Sequence, residues 1–222
     1  DDHIDIVDAN LIGQAWNGVP ADARWNEAAD ITDDDVINVL DMVAVQFNWD
    51  KVAPGMWSAA LGQRAVERAG GLWPGWMLPD PAVPWRIAVG ADLTTQVVIT
   101  PSYKSVAGPG RTFEVDIEVQ DIIDLYSARV QVSFAPGVLQ VQDADPRPSA
   151  TGVQILPGDF LDPAHQQVVV NEADNDTGAI DFAVTQLYPA EAKSGSGVLA
   201  TIRFLAVGEG TSPVHVIDVQ LH

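Results

Sequence analysis

From about residue 95 to residue 222, apolar and polar residues alternate along the chain in one short run after another. In TFEVDIEVQ (112–120) and in SARVQVSF (127–134), every second residue is apolar and the residues between them are polar or charged. This period of two is typical of strands that bury one face, and turn sequences such as APG, NDTG and GEG separate several of the runs. Similar runs occupy residues 138–143, 166–171, 179–185, 197–206 and 213–221. About eight short strands without intervening helices predict a β-sandwich of two packed sheets.

One of these runs changes phase. In PVHVIDVQL (213–221) the apolar residues leave their alternation between Val216 and Ile217. Such a slip moves the following side chains to the other face of a strand. It therefore predicts a β-bulge or a switch between sheets at this point.

Charge and cysteine content narrow the range of functions. Eleven basic residues against 31 acidic ones give a net charge of −20, which disfavours binding to nucleic acid or anionic membranes and favours either cation binding or halophilic solvation. The chain has no cysteine, so disulfides, thiolate metal ligands and cysteine nucleophiles are excluded. No apolar run approaches the roughly 18 residues expected of a membrane-spanning helix. The first residues do not form a signal peptide, and the chain is expected to be a processed or trimmed precursor.

The chain divides into three regions by composition. Residues 1–51 are acidic with a helical pattern, residues 52–94 are rich in Trp and Pro, and residues 95–222 carry the alternating pattern. The middle region is too rich in Trp for a free flexible tether. Its four tryptophans are expected to be covered by a neighbouring domain or another subunit, or else to lie in a loop packed on the sandwich; they are Trp57, Trp73, Trp76 and Trp85.

The acidic segment DITDDDVINVLD (30–41) has the spacing of a twelve-residue calcium loop. Hard cations bind six to eight oxygens, and alternate residues of a tight loop can supply them. Counting from the first aspartate, ligand positions 1, 3, 5, 7, 9 and 12 are Asp30, Thr32, Asp34, Val36 through its carbonyl, Asn38 and Asp41. Ile37 follows the carbonyl ligand, where such loops place an apolar anchor.

Two positions depart from this pattern, and they leave an alternative open. Thr32 is a poorer ligand than Asp or Asn, and Asp35 stands at the sharp turn that glycine usually occupies. The alternative is an acidic, solvated turn that caps the helix after it.

The segment repeats after 33 residues. Asp1, Ile4, Asp8 and Trp16 align with Asp34, Ile37, Asp41 and Trp49, and internal duplication of a loop and helix is itself diagnostic. On the stretches DDHIDIVDANLIGQAW and DITDDDVINVLDMVAVQFNW, the N-terminal region resembles a dockerin domain, which is a duplicated calcium-loop-and-helix module. The resemblance implies a bound Ca²⁺ and a first calcium site. That site would be formed by Asp1, Asp5 and Asp8, with His3 in the place of Val36. Its first four loop positions would precede residue 1. Either the chain was cut within this loop, or the site has lost its metal.

The remainder, residues 95–222, resembles a cohesin domain. The resemblance is carried by VVITPSYKSVAGPGRTFEVDIEV, DLYSARVQVSFAPGVLQV, NDTGAIDFAV and SGSGVLATIRFLAVGEGTSPVHV, in that order. It implies a nine-stranded, jelly-roll-like sandwich. The expected fold is therefore mainly β, with a small N-terminal helical calcium-loop module attached to a cohesin-like sandwich.

The two resemblances also imply a pair of binding surfaces. A cohesin receives a dockerin on outward side chains of one strand, which here are Ser127, Arg129, Gln131 and Ser133. A typical family member would have an acidic residue in place of Arg129. The dockerin residues that commonly contact the cohesin correspond to Ile6, Val7, Val39 and Leu40. These four are apolar, so either the interface is more hydrophobic than usual, or they pack the two helices of the module together.

The sequence offers no case for catalysis. The four histidines do not have the spacing of a metal site, and GPGR (108–111) is a turn rather than a phosphate-binding loop. The lead hypothesis is a secreted structural subunit in which the N-terminal module of one copy binds the cohesin-like domain of the next, giving a ring or a filament. The alternatives are an adaptor scaffoldin that links foreign cohesin and dockerin partners, a carbohydrate-binding module, and pairing of the two modules within one chain.

Overall fold

The computed structural model describes residues 3–49, 51, 95–145 and 152–222. Within them lie two α-helices, α1 (Ile6–Gln14) and α2 (Val39–Phe47), and a short 3-10 turn, Glu27–Ala29. Nine strands follow in the described residues. They are β1 (Gln96–Thr100), β2 (Thr112–Leu125), β3 (Ser127–Ser133), β4 (Leu139–Val141), β5 (Leu156–Pro157), β6 (Gln166–Asp174), β7 (Ala179–Gln186), β8 (Lys193–Ala206) and β9 (His215–Leu221). The expectations for the Trp-rich region 52–94 lie outside the described residues.

The strands form two antiparallel sheets that pack face to face. One sheet has the order β1-β2-β8-β4, with β5 also paired to β8, and the other has the order β6-β7-β3-β9. The apolar residues of each alternating run point between the sheets and form the main core, which includes Ile117, Val130, Phe182 and Phe204. The β-sandwich predicted from the alternation is therefore confirmed.

The phase slip in the last strand is a β-bulge. Gln131 of β3 pairs with Asp218 of β9, and the next residue, Val132, pairs with Val216. Ile217 is the extra residue between them, and its side chain is exposed. The prediction of a bulge is confirmed.

The two helices repeat each other in detail. The residue before each helix, Asp5 or Asn38, accepts a hydrogen bond from a backbone N–H of the first turn. The third helical residue, Asp8 or Asp41, accepts one from the backbone N–H of that cap in return, which is a capping box. Both helices and both boxes are related by the same 33 residues. The described residues 3–49 and 51, called the helical module below, thus carry two equivalent short helices.

No helix in the described part of the chain is long and apolar enough to cross a membrane.

Candidate protein-binding site

The outward face of β3 and β7 is unusual because much of it is buried. A strand with one wet face shows buried and exposed residues in alternation, as β2 does over most of its length. In β7, by contrast, residues 182–186 are all buried, and so are residues 127–130 of β3. Something must therefore cover the side of the sheet that points away from the sandwich core. This outward face of β3 and β7 is called the docking face below.

The helical module covers the docking face. Helix α1 packs on β7 and β3, and α2 reaches β6. Ile6, Ala9 and Ile12 of α1 form one apolar cluster with Val169 and Ala183 of the sheet. This cluster is separate from the core between the two sheets. The two regions of the chain thus meet through a second hydrophobic core.

Gly13 is the point of closest approach between α1 and the docking face. A Cβ placed on Gly13 would lie 2.2 Å from the backbone oxygen of Gln186 and 3.0 Å from Oγ1 of Thr185. Real Cβ atoms do not come so close to a backbone oxygen, so only glycine allows the helix to sit at this depth.

The carbonyl of Gly13 is bound by the cohesin-like region. It lies in the last turn of α1, where helix carbonyls lack intrahelical partners. The backbone N–H of Tyr188 donates to it at 3.0 Å, and the hydroxyl of Tyr126 donates to it at 3.2 Å. Burial raises the pKa of Tyr126 to about 12, so its hydroxyl stays protonated and remains a donor. Two tyrosines that lie just outside the strands of the sandwich thus satisfy the end of the helix.

Arg24 makes a second contact from the loop between the helices. Its guanidinium lies 4.2 Å from the ring centroid of Tyr188, within the range of a cation–π contact. The same side chain donates to the carbonyl of Trp16 at 2.9 Å and is held by the carboxylate of Asp22. The hydrogen bond from Arg24 lowers the pKa of Asp22, so the pair stays charged at neutral pH.

Arg129 connects the docking face to α2. Its guanidinium donates to both carboxylate oxygens of Asp181, at 3.1 and 2.6 Å, and Gln131 donates to the same carboxylate at 3.2 Å. The ring of Trp49, just past α2, lies 5.1 Å from the Arg129 guanidinium. Arg129 is only 4% exposed. Arg129 is therefore paired on the sheet and also contacts the helical module.

The predicted partner strand is oriented as expected but is not free. Ser127, Arg129, Gln131 and Ser133 all point away from the sandwich core. Ser127 and Arg129 are buried, whereas Gln131 and Ser133 are half-buried. A surface expected to receive a separate partner is thus partly covered by the same chain.

The four apolar module residues do not share one environment. Ile6 is fully buried and Val7 is half-buried, whereas Val39 is 58% exposed and Leu40 is 53% exposed. The alternative that all four pack the two helices together is therefore wrong for Val39 and Leu40. Helix α1 packs on β7 and β3 whereas α2 packs on β6, so equivalent positions on the two helices have different neighbours.

The proposed calcium loop is folded by its own hydrogen bonds. The carboxylate of Asp30 accepts from the N–H groups of Asp34 and Asp35, at 3.1 and 3.0 Å. The buried carboxylate of Asp41 accepts from Thr32 and Asn38. Further bonds run from Val36 N–H to Asp34 and from Asn38 to the Val36 carbonyl.

The conformation of this loop suits a sharp turn. Asp35 has φ +63°, the left-handed geometry for which glycine is usually chosen, and Ile37 is fully buried as an anchor. Oxygen ligands of the kind that Ca²⁺ prefers are therefore present in a tight loop. Within the described residues, however, no three His, Cys, Asp or Glu side chains are gathered closely enough to hold a metal. Calcium binding stays a prediction.

The residues of the first predicted site serve as helix caps. Asp5 caps α1 and lies 3.5 Å from the His3 ring, and Asp8 accepts from the backbone N–H of Asp5 at 3.0 Å. Burial raises the pKa of Asp8, although the hydrogen bond from Asp5 partly opposes this. Asp1 lies outside the described residues. The first site also stays a prediction.

Several contact residues were not predicted from the sequence, namely Gly13, Tyr126, Asp181 and Tyr188. One signal for Gly13 was available, because an isolated glycine inside an apolar helical pattern often marks a close approach of backbones. The tyrosines carry no such signal.

Comparison with known proteins places this sandwich in a family. A model of the cohesin domain matches residues 96–219, which are more than half of the chain. This chain belongs to the cohesin family. No curated protein matches it.

Solved cohesin structures resemble the chain at low sequence identity. A type II cohesin domain from the cellulosome of Acetivibrio cellulolyticus is 17% identical, with 58% of this chain and 76% of that chain covered and a TM-score of 0.44. The second type II cohesin module of the adaptor ScaA scaffoldin from the same organism is 14% identical, with coverages of 59% and 79% and a TM-score of 0.46. A type I cohesin–dockerin complex from Clostridium thermocellum is 14% identical, with coverages of 57% and 84% and a TM-score of 0.42.

Membership of the cohesin family sets the general function. Cohesin domains are non-catalytic modules that bind dockerin modules in assemblies of the cellulosome type. The expectation that this chain is not an enzyme agrees with that family. The cohesin-like sandwich predicted for residues 95–222 is confirmed for the matched residues, whereas the dockerin-like nature of the N-terminal region stays a prediction.

Proposed function

We propose that this protein is an extracellular assembly subunit in which a dockerin-like N-terminal module binds a cohesin domain of the same kind of chain. The observation that carries the proposal is the burial of the docking face under α1. The same contact, made between chains, joins the module of one copy to the cohesin of the next. Such a heterologous contact gives rings or filaments.

Exchange between chains needs a connection that permits it. Residues 52–94 separate the helical module from the first strand, and a chain of that length spans up to about 140 Å when extended. The module of one copy can therefore reach the docking face of another. At low concentration the contact within one chain prevails, because the effective concentration of a tethered partner is high.

Calcium is the proposed control on this exchange. Asp30, Asp34 and Asp41, with Thr32 and Asn38, supply oxygens that would hold Ca²⁺ in the loop before α2. A bound ion would supply positive charge among these carboxylates and rigidify the start of α2. The chain's own part is to place the ligands, through the left-handed turn at residue 35 and the buried anchor Ile37.

Sizing experiments test the self-assembly. Purified protein is examined by light scattering and electron microscopy over a range of concentrations, with millimolar Ca²⁺ and with EGTA. We expect larger particles that grow with concentration in Ca²⁺ and smaller ones in EGTA. Monomers under both conditions at every concentration would exclude assembly into filaments.

A second candidate, an adaptor that links foreign partners, is favoured by the outer side of α2. Three large apolar side chains are exposed on that side and are not covered by the sandwich of the same chain; they are Val39, Leu40 and Phe47. An adaptor would remain monomeric on its own and would retain a purified foreign cohesin on a column. Retention without concentration-dependent growth would favour this alternative.

A further inference from the structure

The duplicated module has two helices of the same design, yet only α1 lies on β7 and β3. Both helices have nine residues, begin with the same capping box and end near a tryptophan. Capping and length therefore do not decide which helix meets the docking face. The difference must lie in the side chains at equivalent positions.

Gly13 and Gln46 occupy the same position in the two helices, 33 residues apart. Gly13 lies where a Cβ would be 2.2 Å from the backbone oxygen of Gln186. A glutamine at position 13 would place its Cβ against the backbone oxygen of Gln186. A backbone oxygen cannot move aside by changing rotamer, as a side chain could. Gln46 instead donates its side-chain N–H to the carbonyl of Val168 at 3.3 Å, at the edge of the sheet.

The backbone carbonyls at these two positions also differ. Each carbonyl accepts from the tryptophan three residues further on, Gly13 from Trp16 at 3.4 Å and Gln46 from Trp49 at 3.5 Å. The Gly13 carbonyl accepts in addition from Tyr188 and Tyr126 of the cohesin domain. The depth that glycine permits is what brings the Gly13 carbonyl within reach of these two tyrosines, which lie just outside the strands.

We propose that Gly13 is the specificity-determining residue of the docking contact: it selects α1 as the docking helix and gives the module one orientation on its cohesin. The inference deepens the proposed docking function and rests on it. It assigns the pseudo-symmetric repeat two different roles. Helix α1 docks on β7 and β3, and α2 packs against α1 and touches β6.

Because the chain has no cysteine, a single engineered thiol reports the opening of the contact. Thr185 is fully buried on the docking face beside Gly13, so Thr185→Cys reports departure of the module. Val184, its neighbour in β7, points into the sandwich core, so Val184→Cys reports unfolding of the sandwich. Labelling rates with a thiol reagent are measured on monomer at low concentration, with Ca²⁺ and with EGTA.

We expect Gly13→Ala to raise the labelling rate of Cys at position 185 by on the order of tenfold or more, because overpacking against backbone outweighs the better helix propensity of alanine. The rate at position 184 should stay unchanged. Gln14→Ala, an exposed neighbour in α1, should leave both rates unchanged. Gln46→Ala should have a smaller effect than Gly13→Ala, since it removes one long hydrogen bond.

Three results would overturn the inference. Slower labelling in Gly13→Ala would mean that helix propensity decides the outcome, and equal acceleration at positions 184 and 185 would mean that Gly13 acts on the sandwich as a whole. If Gln46→Ala raised the labelling rate at position 185 as much as Gly13→Ala does, the two helices would not differ in their contribution to docking. Rapid labelling of position 185 with Gly13 intact would instead refute docking itself, which is the proposed function.

Discussion

The contact between Trp49 and Arg129 allows a quantitative test of how the module is held. The Arg129 guanidinium is almost fully buried and lies 5.1 Å from the Trp49 ring centroid. A cation–π contact contributes about 0.5–1 kcal/mol when exposed and about 2 kcal/mol when desolvated. This pair is desolvated on the arginine side but sits near the long end of the distance range. We expect a coupling of about 1 kcal/mol, which is about fivefold in an equilibrium constant.

A double-mutant cycle measures that coupling. Trp49→Leu and Arg129→Met are made singly and together, with the thiol at position 185 as the reporter of opening. The ion pair between Arg129 and Asp181 is lost in both variants that carry Arg129→Met, so its contribution cancels in the cycle. The opening constant of the double variant should therefore be about fivefold smaller than the product of the two single effects predicts.

The control replaces a different arginine on the other sheet. Arg203 pairs with Glu114 at an exposed site far from the module, so Arg203→Met combined with Trp49→Leu should be additive. If the Trp49 and Arg129 effects were also additive, to within about twofold, the contact would carry no energy and the reasoning would be refuted.

Three further predictions concern single side chains. Tyr126→Phe removes the hydroxyl donor to the last turn of α1, and the opening constant should rise by the equivalent of about 0.5–1.5 kcal/mol in the same thiol assay. Asp8→Asn should raise the melting temperature in EGTA at about pH 7, because burial raises the pKa of Asp8 and the folded state disfavours its charge. The charge on Asp8 destabilises the folded state only above the pKa of 3.8 that the carboxyl has in the unfolded chain. At about pH 3, therefore, the melting temperature measured by circular dichroism should be the same for Asp8→Asn and the unsubstituted protein. Asp34→Asn should weaken calcium binding about tenfold or more in calorimetric titration, whereas Asp33→Asn, outside the ligand positions, should not.

The sandwich was predictable because its signal is local. Alternation in a run such as 112–120 reports which side chains face the core, and the slip at Ile217 reports the bulge, from neighbouring residues alone. Each strand must bury its apolar face whatever lies beyond it. The loop before α2 is local in the same sense, since its turn, anchor and capping residues lie within twelve positions.

The covered docking face was not predictable in the same way. Polar residues such as Ser127 and Thr185 indicate a wet surface by their type, yet both are fully buried. They are covered by a segment more than a hundred residues away in sequence. Alternation with a period of two indicates which side of a strand faces the sandwich core. It does not indicate whether another part of the chain, here the helical module, covers the opposite side. Gly13 carries one trace of this covering layer, and its meaning depends on the Gln186 carbonyl.

Arg129 connects the sheet to the helical module that covers it. The neighbouring strand presents Asp181 beside position 129, and a second carboxylate at position 129 would repel it beneath an apolar cover. Arginine neutralises the Asp181 carboxylate and offers a flat cation to the ring of Trp49. The Arg129 guanidinium and the Trp49 ring are therefore complementary partners across the contact between the sheet and the helical module. A side chain without a ring at position 49 would leave the buried guanidinium without this contact, which is why the energy of the pair should appear as coupling between the two positions.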